Sequence, residues 1–312
     1  MATEEEYPAI DEAAPDQREH AFKQARQYVA DPKPVARGYA AKFIAATGAP
    51  KEALELLSQL ADDPVPGVRL SALVALAGSP WRGRLELLAR KLEDKDVGVA
   101  IVAAAGLAHS RDRRAGDKLV ELAQNSRVRF EALESLYELG DPRFAGMARG
   151  IFGAFFGGPF ERGLAALALA EQGDAKAKEY LLTRASKKRA EERPLLIVNL
   201  ARVLPVEGRA LVEHVAQDSE DYLRESALLA LTRVDASWWS RAQEAIGRYV
   251  DDDPHVAAEV LEGLFEIGWD RAVLIAQAHV EREGELGQAA RRVRLAAALR
   301  HAYPNEVLLR CA

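Results

Sequence analysis

The chain has 312 residues, 49% of them hydrophobic and 29% charged, a composition that excludes an extended disordered protein. Its net charge of −6 argues against a general binder of nucleic acid or anionic membranes, which carries a basic surface. The single cysteine, Cys311, excludes an intrachain disulfide and a cysteine-based metal site, and fits a reducing compartment.

The N-terminal MATEEEYPAIDEAAPDQ has acids where a signal peptide has bases, and no apolar segment. No stretch approaches the roughly 18 apolar residues of a membrane span. The expectation is a cytoplasmic protein, with an acidic flexible leader over 1–16 and one domain over 17–312. A capping helix is predicted near 17–30.

From Asp31 onward the chain repeats itself. DPKPVARGYAAKFIAATG, DPVPGVRLSALVALAG from Asp63 and DSEDYLRESALLALTRV from Asp218 each set an Arg six residues after an Asp, before an Ala/Leu-rich helix. The Arg column comprises Arg37, Arg69, Arg129, Arg162, Arg193, Arg224 and Arg291, with Ala100 and Ala257 in two further slots. Each unit reads as two helices. The first follows the Arg. A break follows it, at Gly48, Gly78, Gly140-Asp141-Pro142, Gly173-Asp174 or Gly268, where Gly suits a helix C-cap and Asp the next N-cap. The second helix is amphipathic, as in RLELLARKLED, where Leu85, Leu88, Ala89 and Leu92 form one stripe. The fold class predicted is all-α, a superhelical solenoid of about nine helical hairpins, because a lone hairpin cannot bury its apolar face. Stacked in register, the Asp and Arg positions would form a ladder of partly buried ion pairs; a phosphate-binding row is the other reading.

The pattern D-P-x-P-x-V-R-x-x-A-x-x-A-L, as it stands from Asp63 to Leu76, resembles a HEAT repeat, and in particular the short bacterial variety named after phycobilisome lyases. The resemblance implies a solenoid whose second helices line a concave, partner-binding face. It leaves function open, since such repeats serve scaffolds, inhibitors, lyase subunits and a few enzymes.

Catalytic motifs are missing from the sequence: it has no phosphate loop, no G-x-S-x-G and no H-E-x-x-H. The six histidines (His20, His109, His214, His255, His279, His301) are scattered about one to a repeat, and neither a metal nor a cofactor is expected. Three enzymes of similar repeats offer comparison. Deoxyhypusine hydroxylase uses His-Glu dipeptides, whereas this chain has the reverse order in Glu19-His20 and Glu213-His214. Phycobilin lyases would need an apolar pocket sized for a tetrapyrrole. Alkylpurine DNA glycosylases would need a basic groove with exposed Trp, for which Trp81, Trp238, Trp239 and Arg241 are the candidates. A plainer reading makes Trp81, Trp238 and Trp269 staples at the starts of second helices.

Two surfaces are candidate partner sites. The segment GIFGAFFGGPF, residues 150–160, holds Phe152, Gly153, Phe155, Phe156 and Phe160. Its helix is expected to run over 142–156 and to end at Gly157-Gly158-Pro159. Phe156, off the core stripe, would form an apolar patch with Gly153 and its neighbours. The second candidate is a basic stripe, with Arg84 and Lys91 in one unit and Arg114 and Lys118 in the next; residues 81–118 hold nine Lys/Arg against six Asp/Glu. The function expected is a non-enzymatic protein-binding scaffold or adaptor, of which an inhibitor or immunity protein is one form. Its partner is another protein, acidic if the basic stripe is used. Nucleic acid and membrane are not expected, and a second copy could stack on the C-terminal repeat. The alternative is a HEAT-type enzyme or enzyme subunit, lyase-like or glycosylase-like.

Overall fold

The computed structural model describes residues 18–154 and 157–302. The acidic leader, Phe155, Phe156 and Cys311 lie outside the described residues.

Helices begin where the chain supplies a cap or a preset φ. Proline occupies the first turn of α2 (Pro34–Thr47), α3 (Pro50–Ala61) and α4 (Pro66–Gly78), where its missing N–H costs nothing. After α5 (Arg84–Arg90), Asp96 caps α6 (Val97–His109) by accepting from the Gly98 and Val99 amides. A short 3₁₀ turn leads into α7 (Gly116–Leu122), and α8 (Arg129–Leu139) follows. Asp141 caps α9 (Pro142–Gly153), Pro159 opens α10 (Pro159–Glu171) and Asp174 caps α11 (Ala175–Ala185). Then come α12 (Arg193–Val203), α13 (Glu207–Gln217), α14 (Arg224–Val234) and α15 (Trp239–Tyr249), followed by α16 (Pro254–Ile267), α17 (Trp269–Ala276) and α18 (Gly284–Ala302). With α1 (Arg18–Tyr28) in the place of the expected capping helix, the described chain is a succession of helical hairpins from α2/α3 to α16/α17, and α18 stands as the first helix of the ninth. Of the expected glycine caps, Gly140 (φ 70°) and Gly173 (φ 86°) take the left-handed conformation. Gly48 and Gly268 are extended, and Gly78 stays inside its helix.

The chain divides into two compact units. The first holds α1–α8 and the residues of α18 from Arg294; the second is Gly140–Val293. In each, the first helices of the repeat pack side by side: α2, α4, α6 and α8 in the first unit, α10, α12, α14 and α16 in the second. Small residues permit the approach. A Cβ on Gly38 would lie 3.1 Å from Ser71 Oγ of the next first helix, and one on Gly106 would lie 3.0 Å from Ala77 Cβ. α10 is buried from Gly163 to Ala170 without interruption, as that unbroken apolar run requires. α3, α5, α7, α11, α13 and α15 each sit in the groove between their own first helix and the following one, so the second helices form no comparably tight layer. Within each unit the closely packed layer is that of the first helices.

Gly106 tests this spacing. Gly106→Val would drive two methyl groups between α4 and α6, against Ala77 and Leu88. The expected cost is about 1–3 kcal/mol, the usual penalty of overpacking, read as a lowered unfolding midpoint in thermal melts. A midpoint equal to wild type would mean the two helices are free to separate.

The Arg column locks successive hairpins together. Arg37 donates Nε and Nη2 to the Asp63 carboxylate at 2.6 and 3.0 Å, and Nη1 to the carbonyl of Asp31 in its own turn at 2.9 Å. Arg69 repeats the clamp one hairpin on, to Asp94 at 2.9 and 2.7 Å and to the Asp63 carbonyl at 3.0 Å. Arg193 donates to Asp221 at 2.8 and 2.5 Å and to the Ala185 carbonyl at 2.8 Å. Each arginine thus grips the backbone of the turn before it and the carboxylate of the turn after it.

Candidate functional site

The Phe-rich segment divides between core and surface. Phe144 is buried, and the half-buried Phe152 sets its ring edge-on to Tyr180 at 5.5 Å. Gly153 and Phe160 are exposed. α9 ends at Gly153, three residues earlier than the sequence suggested, because Ala154 is extended and its carbonyl accepts from Arg162 Nη2 at 2.8 Å. Beside Phe152, Tyr180 donates to Glu192 Oε1 at 2.9 Å, and Arg184 donates Nε and Nη2 to the same carboxylate at 2.6 and 2.9 Å. Glu192 is fully buried. Burial raises its pKa, but the Arg184 and Tyr180 donors and a backbone amide outweigh that and hold the carboxyl below its ordinary range. Tyr180 is pushed up to about 12, first by burial and then by Glu192. The cluster ties α11 to the turn before α12; it is closed to solvent at its carboxylate.

The basic stripe does not form as a free surface. Arg84 is buried at 6% exposure and donates to the Ser79 carbonyl and to Ser110 Oγ, so it belongs to the packing between hairpins. Lys91 pairs with Asp62 at 2.5 Å, and Lys118 pairs with Glu93 and Glu121, each at 3.0 Å. Arg114 reaches Glu86 at 2.8 Å and Asp112 at 2.6 Å. These hydrogen bonds raise the guanidinium pKa of Arg114. The cations expected to meet an acidic partner are thus matched to carboxylates of neighbouring helices. A cleft of about 370 Å³ lies among them, lined by Asp63, Arg69, Arg90, Lys91, Asp94 and Lys95. Its charged walls do not fit an apolar prosthetic group such as a tetrapyrrole.

A different surface stands out in the first unit, on the solvent side of the first-helix layer. α2 presents Val35, 68% exposed, with Tyr39 and Lys42 on the following turns. α4 presents Leu70 and Val74, 37% and 56% exposed and one turn apart. α6 presents the small residues Gly98, Val102 and Ala105, and ends in His109. α8 presents Phe130, Glu131, Glu134, Tyr137 and Glu138. Close approach of Gly38 to Ser71 joins the α2 and α4 stripes, and the 2.6 Å contact of His109 Nδ1 with Glu138 joins those of α6 and α8. The result is an apolar surface bordered by three glutamates on α8. Burial, and then the charges of Glu138 and Glu131, push the Glu134 carboxyl above its ordinary range.

Sequence reasoning missed this face because α4, apart from Arg69 and Ser71, and α6, up to His109, are apolar, so periodicity marked no solvent face. The available signal was residue size. Ala occupies the contacts between first helices, while the β-branched Val35 and Val74 lie on the open side.

The tryptophans considered for base recognition are inside. Trp81 is fully buried and packs with Leu54 and Leu295, while Trp238 and Trp239 are buried under Arg241 and Arg271. Among the described residues no group of His, Cys, Asp and Glu is placed to hold a metal ion, and no helix is long and apolar enough to cross a membrane.

No family model matches the chain, and no curated protein matches it. Among solved structures, it is similar to the complex of CpcE and CpcF of phycocyanin lyase from Nostoc sp. PCC7120, at 17% identity and a TM-score of 0.55, over 79% of this chain and 94% of that one. The fold is a HEAT-like α-solenoid. Human deoxyhypusine hydroxylase in complex with glycerol also matches, at 16% identity and a TM-score of 0.36, over 91% of this chain and 97% of that one. An engineered protein matches at 16% identity and 0.37, over 92% of each chain. The expectation that the chain is not an enzyme is corrected by the first of these: the architecture it shares with a lyase complex gives no ground for excluding catalysis.

Proposed function

We propose that the chain is a HEAT-type subunit of an enzyme system, which holds a partner protein on the first-helix face of its N-terminal unit. The observation that carries this reading is the exposure of Val35, Leu70 and Val74 on neighbouring helices of one layer. A contiguous apolar patch of this kind has a desolvation cost in the free chain and marks a contact surface. The likeness to a lyase made of two different chains supports a protein as the partner. No residue of this chain is assigned to a chemical step.

Val74→Glu tests the reading. Val74 is more than half exposed, so the change leaves the core intact, but it sets a charge among the exposed apolar residues. Captured from its native lysate, wild-type protein should retain a discrete protein that Val74→Glu loses, with affinity lowered at least about tenfold, as expected for a central contact residue. Val206→Glu, at a still more exposed apolar position in the second unit, should retain it. Equal retention by Val74→Glu and wild type would sink the proposal.

A further inference from the structure

We infer that the first-helix face of the N-terminal unit takes a basic amphipathic helix, laid across α2, α4, α6 and α8 with its cationic end over Glu131 and Glu134. This rests on the face proposed above as the partner site, and names the chemistry of its occupant.

The charge pattern of the face selects the occupant. Several surface carboxylates have cations beside them: Glu86 has Arg114, Glu93 has Lys118, Glu171 has Arg202 and Glu207 has Lys178. Glu131 and Glu134 have no such partner among the described residues. They lie one turn apart on α8, and Glu138 follows on the next turn with its carboxylate against His109. Like charges at this spacing repel one another. The crowding shows in Glu134, whose carboxyl is held above its ordinary range by burial and by both neighbours. An incoming ammonium or guanidinium would relieve it. A phosphate backbone or an anionic lipid surface would be repelled, and so would the chain's own leader, which carries Glu4, Glu5, Glu6, Asp11 and Glu12.

The rest of the face sets shape and length. Between Leu70 and Val74 on α4 and Phe130 and Tyr137 on α8, α6 offers only Gly98, Val102 and Ala105, so a helix that crosses from α8 to α4 meets no side chain larger than valine on it. A helix with one apolar face rests on such a surface through its i, i+3, i+4 and i+7 positions. Four helices side by side at 8–10 Å spacing cover about 27 Å, which is about 18 residues of helix at 1.5 Å each. At the far edge Lys42 on α2 is exposed, so the opposite end of the occupant should be neutral or acidic.

The test uses the full chain and three fluorescein-labelled synthetic peptides of this length, read by fluorescence anisotropy. One has a leucine face and three lysines at one end, the second has three glutamates in their place, and the third is the lysine peptide scrambled to remove its apolar face. The lysine peptide should bind, more weakly as salt is added, and the other two at least about tenfold more weakly. Glu131→Gln with Glu134→Gln should lower its affinity about tenfold and flatten the salt dependence. Asp252→Asn with Glu283→Gln, in the second unit, should change neither. Equal binding of the lysine and glutamate peptides, no effect of the Gln pair, or no binding of the lysine peptide overturns the basic occupant. If Val74→Glu, shown by circular dichroism to be folded, still binds the lysine peptide as wild type does, the face itself is wrong. Loss of binding in Val74→Glu together with indifference to peptide charge would keep the face and discard only the occupant.

Discussion

Replacing Arg193 by methionine is expected to destabilise the second unit by about 3–5 kcal/mol, the typical result of removing one member of a buried ion pair. Arg193 and Asp221 are each only 2% exposed at their side chains, and they meet through two hydrogen bonds of 2.8 and 2.5 Å. The cost comes mainly from the carboxylate left behind. Asp221 keeps the Leu223 amide as a donor, but only the weaker field of Lys188 remains to offset its burial. For a unit of this size the unfolding midpoint should fall by about 10 °C. Asp221→Leu added to Arg193→Met should recover part of the loss, since it removes the stranded charge.

The pH dependence has a definite sign. Arg193, and then the Leu223 amide, hold the Asp221 carboxyl below its ordinary value of 3.8 against burial, which raises it. A depressed carboxylate contributes stability above its unfolded pKa, and that contribution is lost as pH falls through the folded pKa. In Arg193→Met the stranded carboxyl is shifted upward instead, and protonating it relieves the defect. The difference between wild type and variant should therefore be full at neutral pH, begin to shrink as pH falls through the raised carboxyl pKa of the variant, and go on shrinking below pH 3.8. Urea unfolding at both pH values, followed by tryptophan fluorescence, measures it. A constant difference would mean that packing, not charge, is what Arg193 supplies.

Glu192→Gln is expected to cost about 2–3 kcal/mol, less than Arg193→Met, because Arg184 is one-third exposed and recovers part of its hydration. The amide is nearly the same shape but presents N–H where Arg184 or Tyr180 also presents a donor. A second readout separates charge from packing. Tyr180 is pushed up to about 12, by burial first and then by the Glu192 carboxylate. Without the negative charge, ultraviolet titration should show one tyrosine ionising at lower pH than in wild type. An unchanged tyrosine titration would show that Glu192 does not govern Tyr180.

Residues close in sequence and residues that meet only in the fold were not equally legible. The Asp-x₅-Arg register exposed the clamp, yet the acid six residues ahead gives only its carbonyl, and the carboxylate comes from the next turn, as Arg69 shows with Asp63 and Asp94. Arg84 reads as one more surface base beside Arg82 and Arg90. It is buried because Ser79 and Ser110 converge on its guanidinium from two hairpins. The Phe-rich segment drew attention by composition, whereas Leu70 and Val74 sit unremarked in an apolar run.

By itself the sequence determined the helices, their caps and their repeat, because Pro at the first turn, Asp at the N-cap and the 3.6-residue period act through residues a few positions apart. The tertiary structure alone decided which flank of each helix meets solvent. Burial is fixed by the neighbouring helices, and a mostly apolar helix such as α4, or the unbroken apolar run of α10, carries no mark of where they lie. That is why α10 is enclosed from Gly163 to Ala170 while α4 leaves Leu70 and Val74 open.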